Sequence, residues 1–183
     1  MRSSRIYITG FMGSGKSCVA PLVAKVLGYD SLDLDRDITH AESMSIPAIF
    51  DVLGEEAFRK AEKDALLTSA SREHVVVSLG GGTIMDPDNL AFCRANGILV
   101  GLDAPIDVLC RRLERRGGSR PKLWDANGRM LRNDALRARV QELLDARRPV
   151  YRQAHVTVET GDRASKDVAK DVVEAIRAWS GVT

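Results

Sequence analysis

Several ingredients are scarce in this chain. Among 183 residues there are three cysteines, Cys18, Cys93 and Cys110, odd in number and widely spaced, with no Cys-x-x-Cys pair. That excludes a disulfide framework and a thiolate zinc site, and points to free thiols in a reducing compartment. No apolar stretch approaches the roughly 18 residues a membrane span needs, and the opening Met-Arg-Ser-Ser-Arg leads straight into a short apolar run with no signal-peptide core. The expectation is a cytoplasmic protein with no membrane partner. Excess charge of one sign is missing too: 27 Lys+Arg against 25 Asp+Glu leave +2, too little for a surface built to coat nucleic acid. His40, His74 and His155 lie apart, without metal-ligand spacing. What remains, 44% hydrophobic and 28% charged residues, is the composition of an ordinary globular domain. At about 150 residues per domain the length is one domain, able to bury about 70% of its unfolded surface without a covalent staple.

The apolar pattern alternates. Short runs at 6–8, 31–34, 74–78, 97–102 and 154–158 read as strands, with helical periodicity between them. The spacing predicts helices over 16–27, 46–53 and 55–71, the last two separated by Gly54, and a closing helix striped by Val168, Val172, Ile176 and Trp179. Strands that alternate with helices need crossover connections, hence a parallel sheet covered on both faces: an α/β three-layer sandwich. Pro21 falls inside the first helix, where it removes the hydrogen bond to the Ser17 carbonyl and is expected to kink it. Residues 111–133, rich in Arg and Gly and poor in periodic apolar positions, read as a mobile insertion.

Gly10-Phe11-Met12-Gly13-Ser14-Gly15-Lys16-Ser17 fits G-x-x-x-x-G-K-[ST] and stands between a predicted strand and helix, as a phosphate cradle requires. Glycines let the N–H groups of Gly13, Ser14 and Gly15 converge on phosphate oxygens, and the helix N-terminus adds partial positive charge. Lys16 then reaches the β/γ-phosphates of ATP, the Ser17 hydroxyl ligates Mg²⁺, and Cys18 packs beside the nucleotide. A chance match in a chain this long has odds of about one in a hundred.

Such a loop serves kinases, GTPases and motor ATPases alike. The guanine-selecting N-K-x-D is absent, and Val75-Val76-Val77 leads to Ser78, not to Asp. Asp33-Leu34-Asp35 instead ends the second strand, which is expected to place both carboxylates on one face at the ligand-binding edge of the sheet. Asp33 would hold Mg²⁺ through water, and Asp35 would orient and deprotonate an acceptor hydroxyl. Ser78-Leu79-Gly80-Gly81-Gly82 brings bare backbone to the same edge, suited to close approach of a small ligand. Gly54-Glu55-Glu56-Ala57-Phe58-Arg59 opens a helix whose Arg59, turned inward, would clamp an anion bidentately. Six of the twelve residues from Arg111 to Lys122 are Lys or Arg, with no aromatic among them for stacking on bases, and a lid over a triphosphate accounts for those charges without nucleic acid.

With these residues on one chain, the sequence from Ile6 to about Val158 resembles the shikimate kinase family of the nucleoside-monophosphate-kinase-like P-loop group. The resemblance rests on the P-loop, Asp33-Leu34-Asp35, Ile46-Pro47 with Phe50, Gly54-Glu55 through Phe58-Arg59 and Glu62, Gly80-Gly81-Gly82, Arg120-Pro121, and Arg147 four residues before Tyr151. It implies ATP-dependent phosphorylation of the 3-hydroxyl of shikimate, with Mg²⁺, on a five-stranded parallel sheet of order 2-3-1-4-5. By the same likeness Asp35 contacts the acceptor hydroxyls, Arg59 and Arg147 hold the ring carboxylate, Gly81 and Gly82 line the ring, and Arg120 belongs to a lid over ATP. The whole chain, 1–183, is then one kinase domain, with an acceptor-binding helical segment at about 35–62 and a lid at about 113–132. No second long apolar face is evident, so a monomer is expected. The family pattern is broken by Lys122-Leu123-Trp124 after Arg120-Pro121, where two apolar residues are usual, and by Thr39, where an acidic residue is usual. Which of Arg111, Arg112, Arg115 and Arg116 meets adenine stays open. The alternatives are a kinase for another hydroxy acid or cyclitol, of the quinate or gluconate type, and a nucleotide-gated binding module, which leaves Arg59 and Arg147 unexplained.

Overall fold

Five parallel strands, β1 (Arg5–Gly10), β2 (Asp30–Asp33), β3 (Val75–Ser78), β4 (Ile98–Asp103) and β5 (Val156–Glu159), form one sheet in the order β2-β3-β1-β4-β5, as expected. The computed structural model describes residues 4–116 and 121–180. Each strand is joined to the next by helical crossovers: α1 (Lys16–Leu27), α2 (Leu34–Ala41), α3 (Ile46–Val52), α4 (Gly54–Ser69), α5 (Pro87–Asn96), α6 (Ile106–Arg116) and α7 (Asn133–Tyr151), with α8 (Ser165–Ser180) closing the chain. The alternating pleat of β1 explains the three layers. Ile6 and Ile8 pack with Val76, Val100, Val23 of α1 and Val172 of α8, whereas Tyr7 faces Leu66 of α4, Leu109 and Leu113 of α6, and Val140 and Leu144 of α7. No helix among the described residues is long and apolar enough to cross a membrane.

β1 is central, with β3 on one side and β4 on the other. The chain crosses from one half of the sheet to the other there, so the crevice at the carboxyl end of β1 is the topological switch point where α/β sheets bind ligands. A small separate core of Ile38, Ile49 and Phe58 joins α2, α3 and α4 above that edge, with the Phe50 and Phe58 rings tilted by 34° at 4.7 Å between centroids.

Two expectations change. Strand β2 stops at Asp33, whose carboxylate accepts the Arg36 N–H at 3.3 Å and so caps α2. Asp35 is thus a first-turn residue of a helix, and Asp33 and Asp35 do not share a strand face. The capping hydrogen bond satisfies a helix-end donor that an extended chain would leave to water, and it overrides the strand pattern. Second, the arginine-rich stretch is helix through Arg116, because Leu109 and Leu113 form a buried stripe four residues apart that anchors α6 to the core. Beyond it, Pro121–Leu123 forms a 3₁₀ turn, and Trp124 pairs with Met130 across a tight turn at Gly128 (φ +72°), with Asp125 accepting the Asn127 and Arg129 N–H groups. Helix α1 is continuous through Pro21, which sits on its exposed face.

Candidate active site

The glycine-rich loop leaves β1 and enters α1 with Gly10, Gly13 and Gly15 all at positive φ. Gly13 (φ +85°) and Gly15 (φ +107°) occupy conformations that a side chain would strain, which explains glycine there. No side chain caps α1 and its first turn holds no acidic residue, so its N–H groups and positive pole face the crevice unopposed. Lys16 is 8% exposed, and its Nζ donates to the carbonyls of Gly10 (2.8 Å) and Phe11 (3.2 Å), which holds the ammonium inside the loop. Ser17 is exposed at the mouth.

Opposite the loop lies the Gly80-Gly81-Gly82 turn after β3, and each glycine there meets a different functional group. A side-chain carbon on Gly80 would stand 2.9 Å from Asp35 Oδ1 and closer still to Glu62 Oε1, one on Gly81 would face Met12 N at 3.6 Å and Lys16 Nζ at 4.0 Å, and one on Gly82 would stand 2.9 Å from Arg59 Nη1. Gly80 and Gly82 are therefore bare because charged side chains press on them from two directions, whereas contacts at Gly81 would be ordinary.

Arg59 lies in the second turn of α4. Its Nη1 donates to Glu62 Oε2 at 2.6 Å and its Nη2 to Glu55 Oε1 at 3.2 Å, while the guanidinium lies 5.2 Å over the Phe58 ring. Burial works against the charge, but Glu62 and then Glu55 outweigh it and push the Arg59 pKa up. Glu62 is 1% exposed and also accepts the Thr83 hydroxyl at 2.6 Å, so one carboxylate fixes Arg59 to the glycine turn. From α7, Arg147 Nη1 and the Tyr151 hydroxyl both donate to the Gly81 carbonyl, at 3.2 Å and 2.5 Å. Burial pushes the Tyr151 hydroxyl up to about 12, with Arg147 opposing. No carboxylate pairs with Arg147 among the described residues.

Lys16, Ser17, Asp35, Arg59, Gly81, Gly82 and Arg147 line one cleft, so the fold brings together the residues singled out for transfer and acceptor binding. Asp33 lies in the adjoining groove, which Ser17 and Asp35 also border. On the other side of the P-loop, Gly13, Ser14, Gly15 and Cys18 line a third groove with Arg111, Arg112 and Arg115. There Arg112 donates to the carbonyls of Gly13 (3.1 Å), Ser14 (3.3 Å) and Gly161 (2.6 Å) and to the Thr160 hydroxyl (3.2 Å), tying α6 to the P-loop and to the turn after β5. Arg111 pairs with Asp162. Arg120 lies outside the described residues.

Sequence reasoning left three groups without a role: Glu62, Thr83 and Tyr151. An acidic residue three positions after Arg59 and a tyrosine four after Arg147 are the helix spacings at which side chains meet, and they are the available signal for two of them. Thr83 had none.

A phosphate-cradling loop at the switch point, facing a cleft with two guanidinium groups and two carboxylates, defines a P-loop small-molecule kinase. Residues 12–177 match the profile of the shikimate kinase family. A shikimate kinase from Salinibacter ruber is 44% identical over 174 residues, covering 95% of this chain and 85% of that protein. One from Thermus thermophilus is 40% identical over 171 residues, covering 93% and 89%. The solved structure of shikimate kinase from Acinetobacter baumannii in complex with shikimate superposes with a TM-score of 0.86 at 34% identity, covering 96% of this chain and 93% of that one. The chain belongs to the shikimate kinase family, ATP-dependent kinases of a small-molecule acceptor.

Proposed function

We propose that the chain transfers the γ-phosphoryl group of ATP to the 3-hydroxyl of shikimate, with Arg59 and Arg147 holding the ring carboxylate. The observation that carries this reading is the cleft itself, whose one lining holds two arginines, Arg59 and Arg147, the P-loop Lys16 and the carboxylates of Asp35 and Glu62. Two guanidiniums recognise a carboxylate by paired, directional hydrogen bonds and fix the ring in orientation as well as place. Asp35 orients the acceptor hydroxyl and takes its proton as the new phosphate ester bond forms and the bond to the β-phosphate oxygen breaks. Lys16 exchanges its carbonyl partners for the β/γ-phosphates and offsets charge on the transferring group. Phosphoryl transfer runs through a loose transition state, so positioning and charge neutralisation supply most of the acceleration. Gly80, Gly81 and Gly82 admit the ring, and Glu62 with Thr83 keeps Arg59 aimed at it.

The residues present fit Mg²⁺. Ser17 and Asp33 offer hard oxygen donors in one groove, and no cluster of three or more His, Cys, Asp or Glu among the described residues could hold a metal alone. That is the arrangement for an ion held by one or two side chains plus nucleotide phosphates. When bound, Mg²⁺ neutralises phosphate charge. We place the nucleobase in the groove between α6 and the 160–164 turn, with Arg112 as the fixed planar group against it and Cys18 in its lining. Segment 35–62 acts as the acceptor-binding part and 113–132, including Arg120, as the lid of a single domain. No disulfide joins the three cysteines and only four large apolar side chains stand exposed among the described residues, as suits a cytoplasmic monomer.

The test is ADP release from purified protein with ATP, Mg²⁺ and a panel of shikimate, quinate and gluconate. Shikimate is expected to give the highest kcat/KM. Turnover at background with shikimate, or preference for either other acid, overturns the assignment.

A further inference from the structure

Arg59 already faces two carboxylates before any acceptor arrives, and the two are held very differently. The Glu62 side chain is 2% exposed and fixed by Thr83, whereas the Glu55 side chain is 54% exposed at the rim. The Glu55 oxygen that meets Arg59 Nη2, Oε1, is also 3.2 Å from Lys122 Nζ. Lys122 stands in the 3₁₀ turn after Pro121, on the wall of the acceptor cleft, at a position where the family pattern has an apolar residue. Its main chain is anchored from α7, where Arg139 Nε donates to the Lys122 carbonyl at 3.1 Å. The lysine thus links this turn to the rim of α4. The two cations together, Lys122 foremost, hold the Glu55 carboxyl below its usual range.

Arg59 already gives one Nη1 and one Nη2 hydrogen bond to Glu62 and Glu55, so a carboxylate that takes the guanidinium bidentately competes with both for its charge and for its five donors. Glu62 is buried and cannot leave without stranding its charge. Glu55 is free to leave, but if it stayed nearby unpaired it would repel the incoming anion. We propose that Lys122 is a positioning residue for acceptor binding: it draws Glu55 to the lid side and neutralises it there, so that Arg59 can be given over to the acceptor carboxylate. The proposal rests on the carboxylate-clamp reading above and adds to it the group that makes the clamp available.

The test is steady-state kinetics of wild type, Lys122→Met, Glu55→Gln and the double variant, with shikimate and with its uncharged methyl ester. Lys122→Met is expected to raise the shikimate KM about fivefold, the scale of a half-exposed charge pair, with kcat and the ATP KM within twofold. Adding Glu55→Gln should return the shikimate KM to within twofold of wild type, since no charge then needs parking. The methyl ester should show no effect of Lys122→Met. An unchanged shikimate KM in Lys122→Met overturns the proposal, as does a double variant that keeps the whole defect, which would make Lys122 a direct ligand of the acceptor. Wild type inactive on shikimate would instead remove the clamp reading and this proposal with it, and the wild-type lane separates the two failures.

Discussion

Replacing Gly80 by alanine adds one methyl group at the point where Glu62, Asp35 and Thr83 converge. Gly80 does not use the left-handed backbone region, so alanine brings no torsional strain and the effect is purely steric. The new carbon would stand 2.9 Å from Asp35 Oδ1 and 3.0 Å from Thr83 Oγ1, and nearer still to Glu62 Oε1, where ordinary contact begins at 3.4 Å. Asp35 must retreat by about 0.5 Å and Glu62 by about twice that, which also moves the Arg59 it holds. Misplacement on the scale of 1 Å costs about a hundredfold in a reaction that depends on alignment, so kcat/KM for shikimate should fall roughly a hundredfold. Overpacking of about 1–3 kcal/mol should accompany it, and Tm should fall by roughly 3–10 °C in a chain of this length. The nucleotide site is formed by other residues, so ADP affinity by calorimetry should stay within threefold. A Gly80→Ala protein that keeps kcat/KM within threefold of wild type would refute the claim that this glycine exists to let the carboxylates approach.

Arg59→Ala should raise the shikimate KM by about a hundredfold while the ATP KM changes little, because it removes one arm of a desolvated charge contact; a variant with weakened ATP binding and unaltered acceptor KM refutes the assignment. His155 accepts the Leu99 N–H on Nδ1 at 3.0 Å, and burial, then the charge of Arg94, lowers its pKa below the ordinary 6.5. The native state then binds fewer protons than the unfolded chain, so this contribution to stability is complete above about pH 6.5 and is lost as pH falls through the lowered native value. Tm should drop more steeply from pH 7 to 5 in wild type than in His155→Asn, and parallel profiles would contradict this. Burial pushes the Cys93 thiol up to about 12 while Cys18 is half-buried on the groove beside the P-loop proposed for the nucleotide. Alkylation at pH 8 followed by peptide mass analysis should therefore label Cys18 and spare Cys93, with ADP slowing the reaction at Cys18; equal labelling of the two in folded protein counts against it.

The parts of the site readable in advance are those whose geometry is local. The P-loop spans eight consecutive residues, and its glycines, lysine and helix start need only each other. The alternation of strand and helix likewise depends on side-chain period, and it led to the sheet that forms. The Asp33-Leu34-Asp35 reading went astray because a single cap hydrogen bond from Arg36 N–H decides whether those residues continue a strand or start a helix. The eight-residue α2 is too short for periodicity to announce it.

What composition and spacing determined by themselves was a phosphate-cradling loop motif between the first strand and the first helix. What only the tertiary structure decided was the company each charge keeps: Glu62 with Thr83, Arg147 and Tyr151 with Gly81, Arg112 with the turn after β5, and Lys122 with Glu55, pairs separated by 21 to 70 positions along the chain. Such pairs form because packed layers bring the ends of distant elements to one sheet edge, and a side chain's direction there follows from how its helix seats on the core, which no stretch of local sequence encodes.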